Sequence, residues 1–544
     1  MVASAMIKDR PSLWQKAIVA LVLCTLIFSR QIGGLLVDDN RYYMLWQSGD
    51  SIALLLAVLA LAGIGFGISV LMTAARWDRA RRAYNHIFLL ALANAALSLV
   101  PQKWAPQLGQ STLRLAVWCV IWTTVVGTIA FSFWSPRSRL VVYGANCCLL
   151  FSPLVPILFF QTLAMRNWSS PGETNPHLHP TIPAYNGKAT AGKHPVFIFL
   201  FDEWSYPRST KEDEFLPELV NLRKLSAQCF NFRRTWSFSS RTKYSVPAVM
   251  FQTDSPTRIR KNNIFLPVDG KPVSTSKVPS VFTLAKDHGY TTALQGFYQP
   301  YRRMFGDQLD YCRSFSIYPR GDTLLDNMIM TTVRNHYWFT DPATAYLRRL
   351  LEGRLQGRRI FHVNAWLLDE SLRLIRACSS NTLAFFHWPL PHGPFVFNAD
   401  GSYHGSYSGN AVLGFNGSSE DYHRQLLYLD RIVGRIIEQL KAAGKFDDAL
   451  LIFTSDHGWR WDPDVPVKDW TADPILRKVP LLVKLPGQQQ ARVVNKTIYN
   501  HLQLRPIIEQ VLSGNLEESK TLEIIENLEE LPAPKGRYST RPKP

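Results

Sequence analysis

The chain is 544 residues long, 47% hydrophobic, and carries a formal net charge of +18 from 60 Lys and Arg against 42 Asp and Glu. This length allows more than one domain, and this apolar content excludes a disordered chain. The basic excess comes without a nucleic-acid-binding signature, and it suits either attraction to anionic lipid head groups or plain solvation of scattered cations.

From about Leu13 to Leu163 the apolar residues gather into five segments of roughly membrane-spanning length, near residues 13–36, 51–74, 86–101, 112–134 and 140–164. The third is short, and Asn94 and Ser98 interrupt it, so a buried amphipathic helix is its alternative. The first has Arg30 near its outer end and no small-residue cleavage site after it, which reads as a retained segment rather than a removed signal peptide. Lys8, Arg10 and Lys16 precede the first segment, Arg76, Arg79, Arg81 and Arg82 follow the second, and Arg137 and Arg139 follow the fourth. The alternate loops hold chiefly Arg41 and Lys103. The positive-inside rule then puts the amino terminus in the cytoplasm, and an odd number of spans sends the rest of the chain to the other side. The expectation is a multi-pass protein of a bacterial inner membrane, its large domain in the periplasm or outside the cell.

Residues 1–165 are thus a transmembrane domain, and residues 166–193, rich in Pro, Gly and polar residues, are a linker. Residues 194–515 form the large domain, and the charged tail 516–544 is expected to fray. Cys24, Cys119, Cys147 and Cys148 lie in the apolar segments. Cys229, Cys312 and Cys378 lie in the domain, where an oxidising compartment would allow one disulfide and one free thiol.

Val196-Phe-Ile-Phe-Leu-Phe201 is a continuous apolar run, the pattern of a strand buried on both faces of a parallel sheet. Pro217–Ser226 and Val281–His288 look helical, Thr291–Leu294 and Leu383–Phe386 look like strands, and an amphipathic helix over Tyr422–Ala443 precedes the strand that begins at Leu450. Such alternation means an α/β domain with a mostly parallel central sheet. Ligands of open α/β sheets bind beyond the carboxyl ends of the strands. Three strands here end in candidate ligands: Asp202 and Glu203, His387 and His392, and Asp456 and His457. Carboxylate oxygens and imidazole suit a divalent ion, zinc or manganese before calcium or magnesium, and Gly458 lets the backbone turn after the third strand.

Ser239-Ser-Arg-Thr-Lys-Tyr-Ser-Val-Pro-Ala-Val-Met250 combines hydroxyls with a helix start whose free N–H groups favour an anionic group. Thr242 and Ser245, three apart, share a helix face, and either could present its hydroxyl to a metal and act as nucleophile. A Ser/Thr capping loop is the plain structural alternative.

These motifs resemble the alkaline phosphatase and sulfatase superfamily, and within it the membrane-anchored phosphoethanolamine and phosphoglycerol transferases. The resemblance runs from about Pro195 to Gly487. It rests on Asp202-Glu203, Thr242-Lys-Tyr-Ser-Val-Pro247, His387-Trp-Pro-Leu-Pro-His-Gly-Pro394, Tyr428-Leu-Asp430 with Val433-Gly434, Ser455-Asp-His-Gly458 and Val479-Pro-Leu-Leu-Val-Lys-Leu-Pro-Gly487. It implies that Asp202 or Glu203, Asp456 and His457 bind a catalytic metal together with Thr242 as nucleophile, and that His392 contacts substrate or a second ion. Thr242 stands five residues before Pro247, the offset of the nucleophilic Thr in phosphoethanolamine transferases, while Ser245-Val-Pro247 falls where sulfatases carry Cys-x-Pro or Ser-x-Pro, which keeps Ser245 as the alternative.

The chain also departs from the pattern. Ala248-Val249 follow Pro247 where sulfatases place a small residue and an Arg, Phe238 and Ala248 stand where transferase cysteines flank the nucleophile, and no His occurs between Gly458 and Val479. Lys468 is the nearest cationic substitute there, and Lys243, Arg241, His387 or His392 could neutralise the remaining charge or protonate a leaving group. The expected function is transfer of a phospho head group from a membrane lipid or glycolipid to a lipid or glycan acceptor. The alternatives are ester hydrolysis of surface glycans or glycolipids, and a silent lipid-binding regulator that keeps the fold.

Overall fold

The apolar segments near the amino terminus become helices: α1 (Leu13–Leu35), α2 (Ser48–Ala74), α3 (Arg139–Leu150) and α4 (Leu154–Ala164). The computed structural model describes residues 12–35, 48–74, 139–164, 193–260, 263–315, 342–408, 418–460, 474–514 and 518–532, with isolated positions between them. The chain divides into two compact units, Met1–Pro171 with Tyr318–Leu351, and Gly172–Ile317 with Glu352–Pro544.

In the first unit Phe28 and Ile32 of α1 pack on Leu54 and Val58 of α2. Among the described residues, Gly49–Met72 is long and apolar enough to cross a membrane. Val141–Leu150 and Leu154–Ala164 would make a second span, bent by 52° at the break between them. Pro153 explains that break, since it lacks an amide hydrogen and disfavours helical backbone at Ser152. The apolar part of α1, Leu13–Ser29, is shorter than a full span. Among the described residues there are thus one or two candidate spans where five were expected in all, and the expected segments near 86–101 and 112–134 lie, but for isolated positions, outside the described residues.

The second unit runs β1 (Val196–Phe201), α5 (Val220–Ser226), β2 (Phe230–Trp236), α6 (Thr242–Phe251), α7 (Val281–Asp287), β3 (Thr291–Phe297), β4 (Tyr311–Phe315), α8 (Pro342–Ala377, in this unit from Glu352 onward), β5 (Thr382–Trp388), α9 (Ser419–Ala442), β6 (Leu450–Ser455), β7 (Leu481–Lys484) and β8 (Arg492–Tyr499), with smaller elements between. Its eight-stranded sheet has the order β8-β2-β7-β6-β1-β5-β3-β4. β7 pairs antiparallel with both its neighbours, and every other pairing in the sheet is parallel. The expected α/β domain with a mostly parallel sheet is what the chain forms.

All six residues of β1 are buried, because strands flank it on both edges and helices cover its faces. Phe199 stacks on Phe386 of β5 at 4.9 Å and on Phe453 of β6 at 4.7 Å between ring centroids, a row of rings across the three central strands. Val363, Leu367, Leu374 and Ile375 of α8 join this core together with Leu426, Leu429, Ile432 and Val433 of α9. α9 opens on a capping box: the Ser418 hydroxyl accepts from the Asp421 amide, and the Ser418 amide donates to the Asp421 carboxylate.

The Asp430–Gly434 part of the family-like motif is structural. Asp430 accepts from the Leu222 amide at 2.7 Å and from the Asn221 amide at 3.2 Å, capping the start of α5, whose own cap residue Leu219 has no side chain suited to the task. At Gly434 a β-carbon would stand 2.7 Å from Asn221, so α5 and α9 meet at a glycine. Cys229, Cys312 and Cys378 are all free thiols, so no disulfide forms among them. The start of the tail is not frayed: Glu518–Glu526 is helical, Ile525 and Leu528 are buried, and the Leu531 amide donates to Thr497 of β8.

Replacing Asp430 with Ala leaves two amides at the start of α5 without their acceptor. The expected result is a destabilisation of about 1–2 kcal/mol, the usual cost of a lost helix cap. It would be read as a lower thermal unfolding midpoint of the full-length protein.

Candidate active site

The parallel registers Phe201↔Ser455 and Phe201↔Trp388 bring the carboxyl ends of β1, β5 and β6 to one level. Pairing continues one residue further, with the Asp202 amide donating to Trp388 at 2.9 Å and the Asp456 amide to Phe201 at 3.3 Å. Asp202 and Asp456 consequently emerge side by side. The Ser455 hydroxyl ties the turn together: it accepts from the Trp204 amide at 2.9 Å and lies 2.7 Å from the carbonyls of Phe201 and His457. Gly458 donates to the Leu476 carbonyl at 2.8 Å, and a β-carbon there would sit 3.1 Å from that same oxygen, so the backbones approach closely where the sequence places a glycine.

Asp202, Asp456 and His457 are buried, with one ligand atom from each lying within 4.8 Å of the others. Asp456 Oδ1 accepts from the His457 amide at 2.7 Å and the Glu203 amide at 3.2 Å. Its Oδ2 is buried without a hydrogen-bond partner and stands 3.3 Å from His457 Nε2. His457 Nδ1 faces the Gly458 carbonyl at 2.9 Å, so Nδ1 carries the proton and the Nε2 lone pair points into the cluster. Burial, reinforced by the Arg460 charge, pushes the His457 pKa down to about 3, which keeps the ring neutral and able to ligate. Burial raises the pKa of both carboxyls; Glu203 adds to this at Asp202, and Asp202 adds to it at Asp456. An unpartnered buried oxygen, two crowded carboxyls and an imidazole lone pair fit a divalent cation.

Thr242 is the first residue of α6, and the extended backbone of Arg241 turns the chain into the helix. Its Oγ1 lies 3.4 Å from each Asp202 oxygen and 3.2 Å from His457 Nε2. Pro247 lacks the amide hydrogen that would reach the Lys243 carbonyl four residues earlier, and Thr257 donates there instead at 3.2 Å. Ser245, the alternative nucleophile, is committed elsewhere: its hydroxyl donates to the Ser239 carbonyl at 2.7 Å and accepts from the Ser239 amide at 3.0 Å.

Other residues singled out in the sequence fall differently. Glu203 adopts φ of +64°, and its Oε1 accepts from Arg460 Nε at 2.6 Å rather than joining the three-residue group. His387 is fully buried in β5 with Nδ1 2.6 Å from the Tyr301 hydroxyl, and burial drives its pKa down to about 3, which keeps the ring neutral rather than an imidazolium acid at neutral pH. His392 donates its amide to the Asp202 carbonyl at 3.1 Å, and Gln425 of α9 donates to the carbonyls of Pro391 and His392. Lys243 lies over the Tyr244 ring at 4.8 Å, Arg241 precedes the helix with no side-chain capping bond, and Lys468 lies outside the described residues. Sequence reasoning passed over Arg460, which donates to His392 Nε2 at 2.8 Å as well as to Glu203. Its place three residues after His457 is the available signal, a cation in the segment where the family pattern leads one to expect a His. Tyr422, whose hydroxyl donates to the Glu203 carbonyl at 2.8 Å, and Ser455 were missed too, because each acts on backbone from a distant part of the chain.

The sequence profile of the sulfatase family matches residues 196–513. The chain belongs to the sulfatase family. Its second unit is accordingly an enzyme domain of the alkaline phosphatase-like superfamily. A curated relative from Escherichia coli strain K12, described as uncharacterized sulfatase YdeN, is 22% identical over 213 residues, 37% of this chain and 36% of that protein. The match thus spans about a third of that relative's length. A putative sulfatase from Bacteroides thetaiotaomicron superposes with a TM-score of 0.43 at 11% identity, covering 62% of this chain and 76% of the other. A phosphonate monoester hydrolase of Agrobacterium radiobacter gives 0.37 at 15% identity over 60% and 78%. The lipoteichoic acid synthase LtaP of Listeria monocytogenes gives 0.34 at 14% identity over 61% and 76%.

The raised carboxyl pKa values predict a pH signature. In metal-free protein Asp202 and Asp456 favour their neutral forms, so the stability they contribute is intact below the unfolded carboxyl pKa of about 3.9 and is lost as pH rises toward their folded values. A bound divalent ion offsets that loss. Added metal should therefore raise the melting temperature more at pH 8.5 than at pH 6, and this difference should shrink in Asp456→Asn. Elemental analysis of His457→Ala should show metal affinity reduced at least about tenfold; unchanged metal content would contradict the assignment.

Proposed function

We propose that the chain is a membrane-tied, metal-dependent enzyme that moves a phospho head group from a lipid donor, through Thr242, to a lipid or glycan acceptor. The observation that carries this reading is the Thr242 hydroxyl at the start of α6, within 3.4 Å of Asp202 and 3.2 Å of His457. Asp202, Asp456, His457 and Thr242 would hold the cation, and a mixed nitrogen and oxygen ligand set suits zinc or manganese better than calcium or magnesium. When bound, such an ion favours an ionised hydroxyl and takes up charge on phosphoryl oxygens.

The chain's own residues supply the rest. Asp202 and His457 Nε2 are the acceptors nearest the Thr242 proton. The amides of the first turn of α6 favour a tetrahedral anion beside that oxygen. Thr242 Oγ1 would form a bond to phosphorus while the bond to the lipid's oxygen breaks, and that oxygen leaves with a proton as the lipid alcohol. An acceptor hydroxyl would then attack the phosphothreonine, give up its proton and regenerate Thr242. The apolar helix Gly49–Met72 supports a tether that keeps the domain close to lipid, and the distribution of arginines supports an extracytoplasmic domain. The sulfatase-family match supports a second reading in which water replaces the acceptor and sulfuric or phosphoric esters are hydrolysed.

Intact mass spectrometry of protein exposed to membrane lipids separates the two. A covalent adduct is expected on the wild type and on Ser245→Ala and not on Thr242→Ala, with turnover in the last reduced by at least about 1,000-fold. Turnover of aryl sulfate or phosphate esters without head-group transfer would decide for hydrolysis.

A further inference from the structure

Glu203, Arg460 and His392 form a charged cluster beside the Asp202, Asp456 and His457 group. Arg460 Nε donates to Glu203 Oε1 at 2.6 Å, and Nη2 donates to His392 Nε2 at 2.8 Å. Both acceptors are anchored to the ligand-bearing strand ends: Glu203 follows Asp202 directly, and the His392 amide donates to the Asp202 carbonyl. A guanidinium has five N–H groups. Two are used here, so five less two leaves three. The side chain of Arg460 is 16% exposed, and its Nη1 is not among the buried, unpartnered nitrogens of the described residues, which leaves Nη1 on the accessible side of the cluster.

His392 is oriented by the same contacts. Its Nδ1 faces the Gly393 carbonyl, which can only accept, so the proton sits on Nδ1 and Nε2 accepts from Arg460. An imidazole held this way has no proton to give at Nε2. A tetrahedral anion held beside Asp202 and Asp456 presents oxygens in a fixed geometry, and an arginine fork is the group that matches them in both charge and geometry.

We propose that Arg460 binds the oxygens of the group in transit, and that His392 and Glu203 are positioning residues that aim its guanidinium rather than a proton donor and a metal ligand. This deepens the transfer or hydrolysis reading of the same site and rests on it.

The test uses full-length, zinc-loaded protein titrated with inorganic phosphate, read as a shift in melting temperature, with metal per chain measured by elemental analysis. Arg460→Gln should keep its metal and need about 10- to 100-fold more phosphate for the same shift, the range for a lost charge-assisted hydrogen bond. Arg460→Lys, which retains the charge without the fork, should recover part of that affinity. Glu203→Gln should keep its metal and bind phosphate more weakly. His392→Gln, which retains an acceptor oxygen, should hold kcat and phosphate affinity better than His392→Ala. Unchanged phosphate binding in both Arg460 variants would overturn the anion role, and loss of metal from Glu203→Gln would make that residue a ligand instead. A Gln at position 392 as damaging to kcat as Ala would restore His392 as the proton donor. Phosphate binding needs no turnover, so an absent Thr242 adduct beside Arg460-dependent binding would sink the transfer reading alone.

Discussion

The pairing of β1 with β6 is the constraint on which the site depends. Its register, Phe201 opposite Ser455, puts Asp202 and Asp456 at the same height with neither strand able to shift independently. A slip of one residue would send every side chain of the strand to the opposite face and separate the two carboxylates. The stacked row of Phe386, Phe199 and Phe453 opposes such a slip, because those rings meet only in this alignment. The hydrophobic core therefore sets the spacing of the polar site above it.

That placement creates an electrostatic problem. Asp202, Glu203 and Asp456 converge in a region where all three are buried, and charge without compensation there is costly. The chain answers in two ways. Arg460 is tied to Glu203, where the neighbouring carboxylates hold its charge against the opposing effect of burial. Asp202 and Asp456 are instead left beside an imidazole lone pair, and their raised pKa values express the burial and crowding of two carboxyls. The left-handed backbone of Glu203 belongs to this division, since it turns one of two adjacent acids toward Arg460.

Legibility in the sequence followed burial. β1, β5 and β6 were visible as apolar runs because central parallel strands are covered on both faces. β2 was not: its alternation holds for Phe230-Asn-Phe-Arg233 but stops at Arg234, where the next apolar residue would fall, and its partners, β7 and β8, come from far along the chain. The carboxyl-terminal helix looked too polar to order, yet it needs to bury only a few side chains such as Ile525. Near the amino terminus, apolar composition read 140–164 as one straight span, since composition does not register where Pro153 breaks a helix.

Residue type and spacing alone placed Asp202, Asp456 and His457 at strand ends and Thr242 at a helix start, because these are local properties of short segments. The choice between Thr242 and Ser245 was not local: both lie on one helix face, and it took the loop folding back from Ser239 to occupy Ser245 and leave Thr242 facing the acids. The same holds for Glu203, His392 and Arg460, whose sequence positions span 257 residues between the first and last. Which acid faces the imidazole lone pair and which meets an arginine depends on contacts between distant segments, and those exist only once the sheet has brought the strand ends together.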